Sequence, residues 1–196
     1  MNGHHAEGAH ADGAHADVSV RPAVAGDERA VARIQLAAWR SAHAATLGQE
    51  VLESFDEGAF VERWAQAVRM PPAPGYRVLV ACAGPRVVGF AAVAPVPPPE
   101  EEPLAAPGGV ILALEVDPPE QRAGHGSRLL AAAVDLLRGD GADQVQTWVI
   151  DGDEARDRFL AGAGMGPDGA VRDLSSGEGP GGEAFVVRER RWYASI

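Results

Sequence analysis

EQRAGHGSRLL, residues 120–130, sets two glycines around a histidine just where an apolar-periodic segment begins. Glycine inside a helix costs about 1 kcal/mol relative to alanine, so a pair at a helix start points to backbone presented to a ligand. The first amides of any helix lack internal partners and carry the positive end of its dipole, which suits an anion. Gly124 and Gly126 remove side chains that would hold a pyrophosphate away from those amides, and Arg122 and Arg128 can supply charge from the flanks. Three or four charge-assisted hydrogen bonds of about 1.5–3 kcal/mol each suffice for micromolar retention, about −8 kcal/mol. A bare G-x-G equally suits a turn that only permits close packing. The dinucleotide fingerprint G-x-G-x-x-G fails, because Leu129 stands at the third glycine and the first strand–helix unit lies elsewhere.

On the N-terminal side of this stretch, GGVILALEV (108–116) is continuously apolar, the pattern of a central strand covered on both faces. On the C-terminal side, SRLLAAAVDLLRGDG (127–141) predicts a helix with Leu129, Leu130, Ala133, Val134 and Leu137 inward, and DQVQTWVI (143–150) a strand. DGDEARDRFLAGAG (151–164) then predicts a short helix, and VRDL (171–174) and EAFVVRERRW (183–192) a strand pair around a Gly-rich loop. Upstream, YRVLVACA (76–83) and RVVGFAAVA (86–94) are separated only by Gly84 and Pro85, which predicts an antiparallel hairpin. VSVRPA (18–23) reads as a first strand and Asp27 as the cap of a helix bearing Val31, Ile34 and Ala38. Val51, Leu52, Phe55, Phe60, Trp64 and Val68 continue the helical spacing until MPPAPG (70–75) stops it. PVPPPEEEPLAAPG (95–108) reads as an extended, solvated loop. The sum is an α/β domain on one mixed sheet, with chemistry expected where the central strand hands over to its helix. A flavodoxin-like alternative requires an all-parallel sheet, which the hairpin opposes.

Composition narrows the function. Of 196 residues, 46% are apolar and 23% charged, enough for one cored domain, assigned to 18–196. Residues 1–17 form a low-complexity tail with His4, His5, His10 and His15, expected to be disordered and to hold no functional metal. No run reaches the roughly 18 apolar residues of a membrane span, and no secretion signal is seen, so a cytoplasmic protein with no membrane partner is expected. The lone Cys82 reads as buried packing. A formal net charge of −11 argues against nucleic acid and tolerates a cationic substrate. All 17 basic residues are arginine, so a Walker A loop and lysine Schiff-base chemistry are unavailable, and phosphate must be held by backbone amides and arginine.

Gln121-Arg122-Ala123-Gly124-His125-Gly126 matches Q/R-x-x-G-x-G/A, the acetyl-CoA signature of the GNAT superfamily of N-acetyltransferases, and Val116-Asp117-Pro118 supplies the V-x-P that precedes it. The order of elements from 18 to 196 is similar to that family's whole domain. WRSAHAATLGQEVL (39–52) also resembles a W-R-x-x-Y-x-G-L segment of bacterial members, with His43 where tyrosine is usual. The resemblance implies a mostly antiparallel mixed sheet flanked by helices and acetyl-CoA as cosubstrate. It implies pantetheine along the backbone of Leu114 to Val116 and pyrophosphate on the amides of Arg122, Ala123, Gly124, His125, Gly126 and Ser127, flanked by Gln121 and Arg128. Asp153, Arg156 and Phe159 would line the cofactor's other side. Leu160 stands where relatives carry the tyrosine that protonates the leaving thiolate.

The implied reaction is direct acetyl transfer to a primary amine, without a covalent enzyme intermediate or a metal. Its missing acid is tolerable, since a thiol with a pKa near 8.5 already leaves well and general acid help is worth about 10² to 10⁴ in rate. A base is still needed for a protonated amine. Glu115, an acid in an apolar strand, is the first candidate, with pairing to an arginine such as Arg122 or a solvent-facing position as its bland alternatives. His43 is the second, with a suitable intrinsic pKa. Tyr193 could stand in as acid if the last strand reaches the cleft. A rival of another class is a non-catalytic acyl-CoA sensor. Homodimers are common in the resembling family, though the sequence points to no interface.

Overall fold

A computed structural model describes residues 18–98, 106–178 and 184–196. The expected tail (1–17), most of the proline-rich loop and the loop at 179–183 lie outside the described residues. Strands β1 (Val18–Pro22), β2 (Arg77–Ala83), β3 (Arg86–Val96), β4 (Gly108–Val116), β5 (Gln144–Ile150), β6 (Gly166–Glu178) and β7 (Ala184–Ser195) form one sheet in the order β1-β2-β3-β4-β5-β7-β6. Five of its pairings are antiparallel and one, β4 with β5, is parallel. This is the mixed, mostly antiparallel sheet of the expectation, and it excludes the flavodoxin-like alternative.

Helix α1 (Glu28–Leu47) is followed by α2 (Gln49–Glu53) and α3 (Glu57–Arg69); α4 (His125–Gly139) follows β4, and α5 (Glu154–Gly162) follows β5. Each sheet face buries its own apolar set. On one face α4 lays Leu129, Ala133 and Leu137 against Leu79, Val93 and Ile111. On the other, Val31 and Ile34 of α1 and Phe60 and Trp64 of α3 cover Val80 and Phe90. Trp64 meets Phe90 edge-on at 4.9 Å, and its indole N–H donates to buried Gln35 Oε1 at 2.8 Å, so both polar groups are satisfied. Gly109 allows α4 to lie close on β4: a Cβ there would stand 2.6 Å from both methyls of Leu137.

Several expectations are corrected. The helical spacing from 51 to 68 is broken into α2 and α3 at Asp56, whose carboxylate takes the Gly58 amide at 2.9 Å. Asp27 stands at the start of α1 but makes no side-chain cap; its carboxylate is drawn to Arg21 at 2.6 Å and to the Val24 amide at 2.8 Å. The strand expected at 171–174 runs the full length of β6, lengthened by irregular register around Gly169. β4 is central but not covered on both faces throughout, since Leu112 is 57% exposed. The cause is a bulge: Ala92 and Val93 of β3 oppose Ala113 and Ile111, so Leu112 has no partner.

Candidate active site

The bulge falls where β4 and β5 part. Their parallel pairing runs from Gly108–Gln144 to Ile111–Thr147, closed by Thr147 Oγ1 donating to the Ile111 carbonyl at 2.9 Å, and no pairing is formed beyond it. Residues of a strand aim their backbone groups alternately at its two neighbours. The Glu115 carbonyl lies against Gly89 of β3, so Leu114 and Val116 present theirs to the gap. A strand edge inside a domain, with amides and carbonyls facing a cleft, is an incomplete ladder that an extended amide-bearing ligand can extend.

The turn from Asp117 to Gly124 lies at the mouth of this gap. Arg122 (φ 63°) and Gly124 (φ 83°) both take left-handed backbone, natural for glycine and strained for arginine. Gln121 Nε2 ties the turn back to the Val116 carbonyl at 3.2 Å, and Arg128 Nη1 reaches the Ala123 carbonyl at 3.2 Å. α4 begins at His125, two residues before the expected start, and its first internal bond is Arg128 N to the Gly124 carbonyl. The amides of His125, Gly126 and Ser127 therefore have no intrahelical acceptor, and no side chain caps them. α5 differs: Asp153 Oδ1 caps it by accepting from the Arg156 amide at 2.9 Å. Gln121 to Gly124, Ser127 and Arg128 are exposed, while the His125 ring is buried and its Nδ1 has no partner among the described residues.

Gly126 sits where β4, α4 and α5 converge. A Cβ there would meet the Phe159 ring at 3.5 Å and Val116 Cγ2 at 3.7 Å, so a larger side chain would fill the space between α4 and α5. A groove of about 570 Å³ continues from there, lined by Ser127, Leu130, Val134, Arg138, Arg158 and Phe159.

On the α1 side of β4, Glu115 and His43 share one neighbourhood. Glu115 has Arg156 Nη2 on its two oxygens at 2.8 and 2.9 Å, and Arg156 Nη1 also donates to the Leu114 carbonyl. Its partner is thus Arg156 rather than Arg122. Burial pushes the His43 imidazole below its ordinary value, the Asp153 and Glu115 carboxylates oppose this, and Arg156 adds to it. No hydrogen bond engages that ring among the described residues. Leu160 is 3% exposed and belongs to the α4-side core, so a tyrosine there would be overpacked rather than free to serve the cleft. Tyr193 lies beside Gln146 at the paired end of β5, its hydroxyl 3.1 Å from Ser195 Oγ, so the part of β7 that reaches the open end is Glu189, beside Ile150. Composition gave no sign of the bulge or of the Arg156 contacts.

The acetyltransferase (GNAT) family model matches residues 34–165, well over half of the chain. The protein belongs to this family. As a GNAT domain it is similar to solved structures across nearly their whole length. PaiA N-acetyltransferase from Thermoplasma acidophilum, in complex with coenzyme A, shares 16% identity over 88% of this chain and 98% of that chain, with a TM-score of 0.65. Ribosomal-protein-alanine N-acetyltransferase from Brucella melitensis shares 20% over 91% and 99%, with a TM-score of 0.62. YncA from Salmonella typhimurium, with its cofactor acetyl-CoA, shares 17% over 91% and 93%, with a TM-score of 0.59. At such identities the likeness is one of fold. No match to a curated protein was found. No described helix is long and apolar enough to cross a membrane, and no cluster of metal-ligating side chains occurs among the described residues.

Proposed function

We propose that this GNAT protein transfers an acetyl group from acetyl-CoA to a primary amine borne by a small molecule or a protein. The observation that carries the reading is the edge of β4 at Leu114 and Val116, which β5 leaves unpaired and only the side chains of Arg156 and Gln121 touch, set beside a helix start whose first three amides are uncapped. The residues present fit the cosubstrate. Leu114 and Val116 offer backbone groups to an extended pantetheine, and the amides of His125, Gly126 and Ser127 offer donors to phosphate. Arg122 and Arg128 stand exposed beside them, with Phe159 and Asp153 along the far wall. Bound acetyl-CoA supplies a thioester whose carbonyl carbon is open to attack by nitrogen.

The chain's own groups do the rest. A protonated amine entering from the α1 side meets Glu115, whose charge favours the cation. His43, kept largely neutral near pH 7 by burial, accepts the proton that the ammonium must lose. The Val116 amide, on the stretch of β4 unpaired with β5, polarises the carbonyl under attack. As the C–N bond forms the C–S bond breaks, and the sulfur leaves as a thiolate that solvent can protonate. Holding both partners in one cleft supplies much of the acceleration.

The test is release of free CoA thiol from acetyl-CoA with a panel of amines, from polyamines to peptides with free N-termini. Amine-dependent release, lost in His43→Gln with acetyl-CoA binding retained, supports the reading. Tight acetyl-CoA binding with no amine-dependent release overturns it in favour of a non-catalytic acyl-CoA sensor.

A further inference from the structure

Arg156 makes a three-part contact across the cleft. Its amide is held by the Asp153 carboxylate, its Nη2 by both oxygens of Glu115, and its Nη1 by the carbonyl of Leu114. The guanidinium is thereby spent on the stretch of β4 that β5 leaves unpaired, and on the carboxylate that faces the acceptor side. Only the side chains of Arg156 and Glu115 need to move for the grip to open, because the Asp153 contact involves the Arg156 main chain. The pair is largely covered, with side-chain exposures of 22% and 13%, yet solvent reaches both partners, so neither charge is left dry when the grip opens. An ion pair that can be exchanged for water and for ligand contacts is able to serve as a reversible closure.

We propose that Arg156 is a latch: it closes the β4 edge and covers Glu115 in the cofactor-free protein, and it is released on cofactor entry, which uncovers Glu115 for the ammonium of the acceptor. This rests on the acetyl-CoA reading of the cleft. Two consequences follow from the geometry. The latch lowers the apparent affinity for acetyl-CoA, because only unlatched molecules are competent; if it is closed in about two thirds to nine tenths of molecules, the loss is about 3- to 10-fold. Cofactor and cationic acceptor are also coupled in the same direction, since occupancy by one vacates the partner of the other.

His43 reports the latch without any acceptor. The charged groups that bear on its ring are Asp153, Glu115 and Arg156, so withdrawing the Arg156 cation leaves two carboxylates and raises the affinity of the imidazole for its proton. The experiment is calorimetric titration of acetyl-CoA into wild type, Arg156→Gln, Arg156→Lys and Glu115→Gln. NMR titration of the His43 ring, assigned by its loss in His43→Gln, accompanies it with and without acetyl-CoA. Expected are a Kd about 3- to 10-fold lower for Arg156→Gln, a smaller gain in the same direction for Glu115→Gln, and a value for Arg156→Lys between wild type and Arg156→Gln, since one shorter ammonium keeps the charge without holding Glu115 and the Leu114 carbonyl together. The His43 titration should move to higher pH when wild type is saturated, and move less in Arg156→Gln, where it starts higher. An unfolded Arg156→Gln would leave Glu115→Gln to decide, because it opens the same grip from the other side. Equal or weaker binding by both variants, or a His43 titration that ignores the cofactor, overturns the latch alone. Failure of wild type to bind acetyl-CoA at all overturns the cofactor reading and the latch with it.

Discussion

The two halves of β4 are built from the same apolar run yet serve different ends. From Gly108 to Ile111 the strand is hydrogen-bonded on both edges, to β3 and β5, and α4 presses onto it through Gly109 and Leu137. From Leu112 to Val116 it keeps β3 and loses β5. The bulge at Leu112 marks the change, and below it the backbone is fully spent on the fold. Above it, the Leu114 and Val116 amides remain for a ligand, their carbonyls accept only from the side chains of Arg156 and Gln121, and the charged residues of the neighbourhood gather there. A single inserted residue in a strand thus separates packing from binding.

That contrast can be broken at either half. The largest effect is expected from Gly126→Trp, which puts an indole between Phe159 and Val116 at the open end. Acetyl-CoA affinity should fall more than about 100-fold by calorimetry, the loss of at least two charge-assisted hydrogen bonds, while the half-exposed site and its ordinary contacts with Phe159 and Val116 limit the cost to the fold to about 1–3 kcal/mol in urea unfolding. His43→Gln should lower kcat by about 10² to 10⁴ while leaving the acetyl-CoA Kd within about twofold, measured by thiol release and calorimetry. At the closed half the signature reverses. Gly109→Ala forces Leu137 off its seat and should cost about 1–3 kcal/mol in urea unfolding, with acetyl-CoA affinity retained wherever the protein remains folded.

A subtler difference is the response to pH. The folded state holds His43 below its ordinary value, so the unfolded chain binds this proton more readily. The contribution of neutral His43 is then fully present above the unfolded value, near 6.5, and is lost as pH falls through the lowered folded value. Stability measured from pH 7.5 to 5 should fall less steeply in His43→Gln than in wild type. The smallest effect belongs to Asp140→Asn, which breaks the exposed pair with Arg77 near the closed end; about 0.5 kcal/mol or less is expected in urea unfolding.

The sequence carried most of the frame, because apolar periodicity and turn residues are local signals. The hairpin at Gly84 and Pro85, the run from 108 to 116, and the glycines ahead of α4 all appear where the structure has β2–β3, β4 and the uncapped helix start. What escaped was non-local. Leu112 looks like any other core residue in a strand, and only its lack of a partner on β3 reveals the bulge. Arg156 lies 41 residues from Glu115, so its grip depends on how α5 crosses the end of β4, which no spacing records. Leu160 and Tyr193 show the same limit from the other side: the sequence marked Leu160 as the place of a missing acid and Tyr193 as its substitute, while the fold buries the first in the core and carries the second to the paired end of the sheet.

The most direct test of the open strand edge is backbone amide hydrogen exchange, followed residue by residue by NMR with and without acetyl-CoA. The amides of Leu114 and Val116, and those of His125, Gly126 and Ser127, should gain about tenfold or more in protection, while the Val110 and Ile111 amides, already within the closed half, should change little. Protection appearing elsewhere, with the Leu114 to Val116 edge unaltered, would contradict the account.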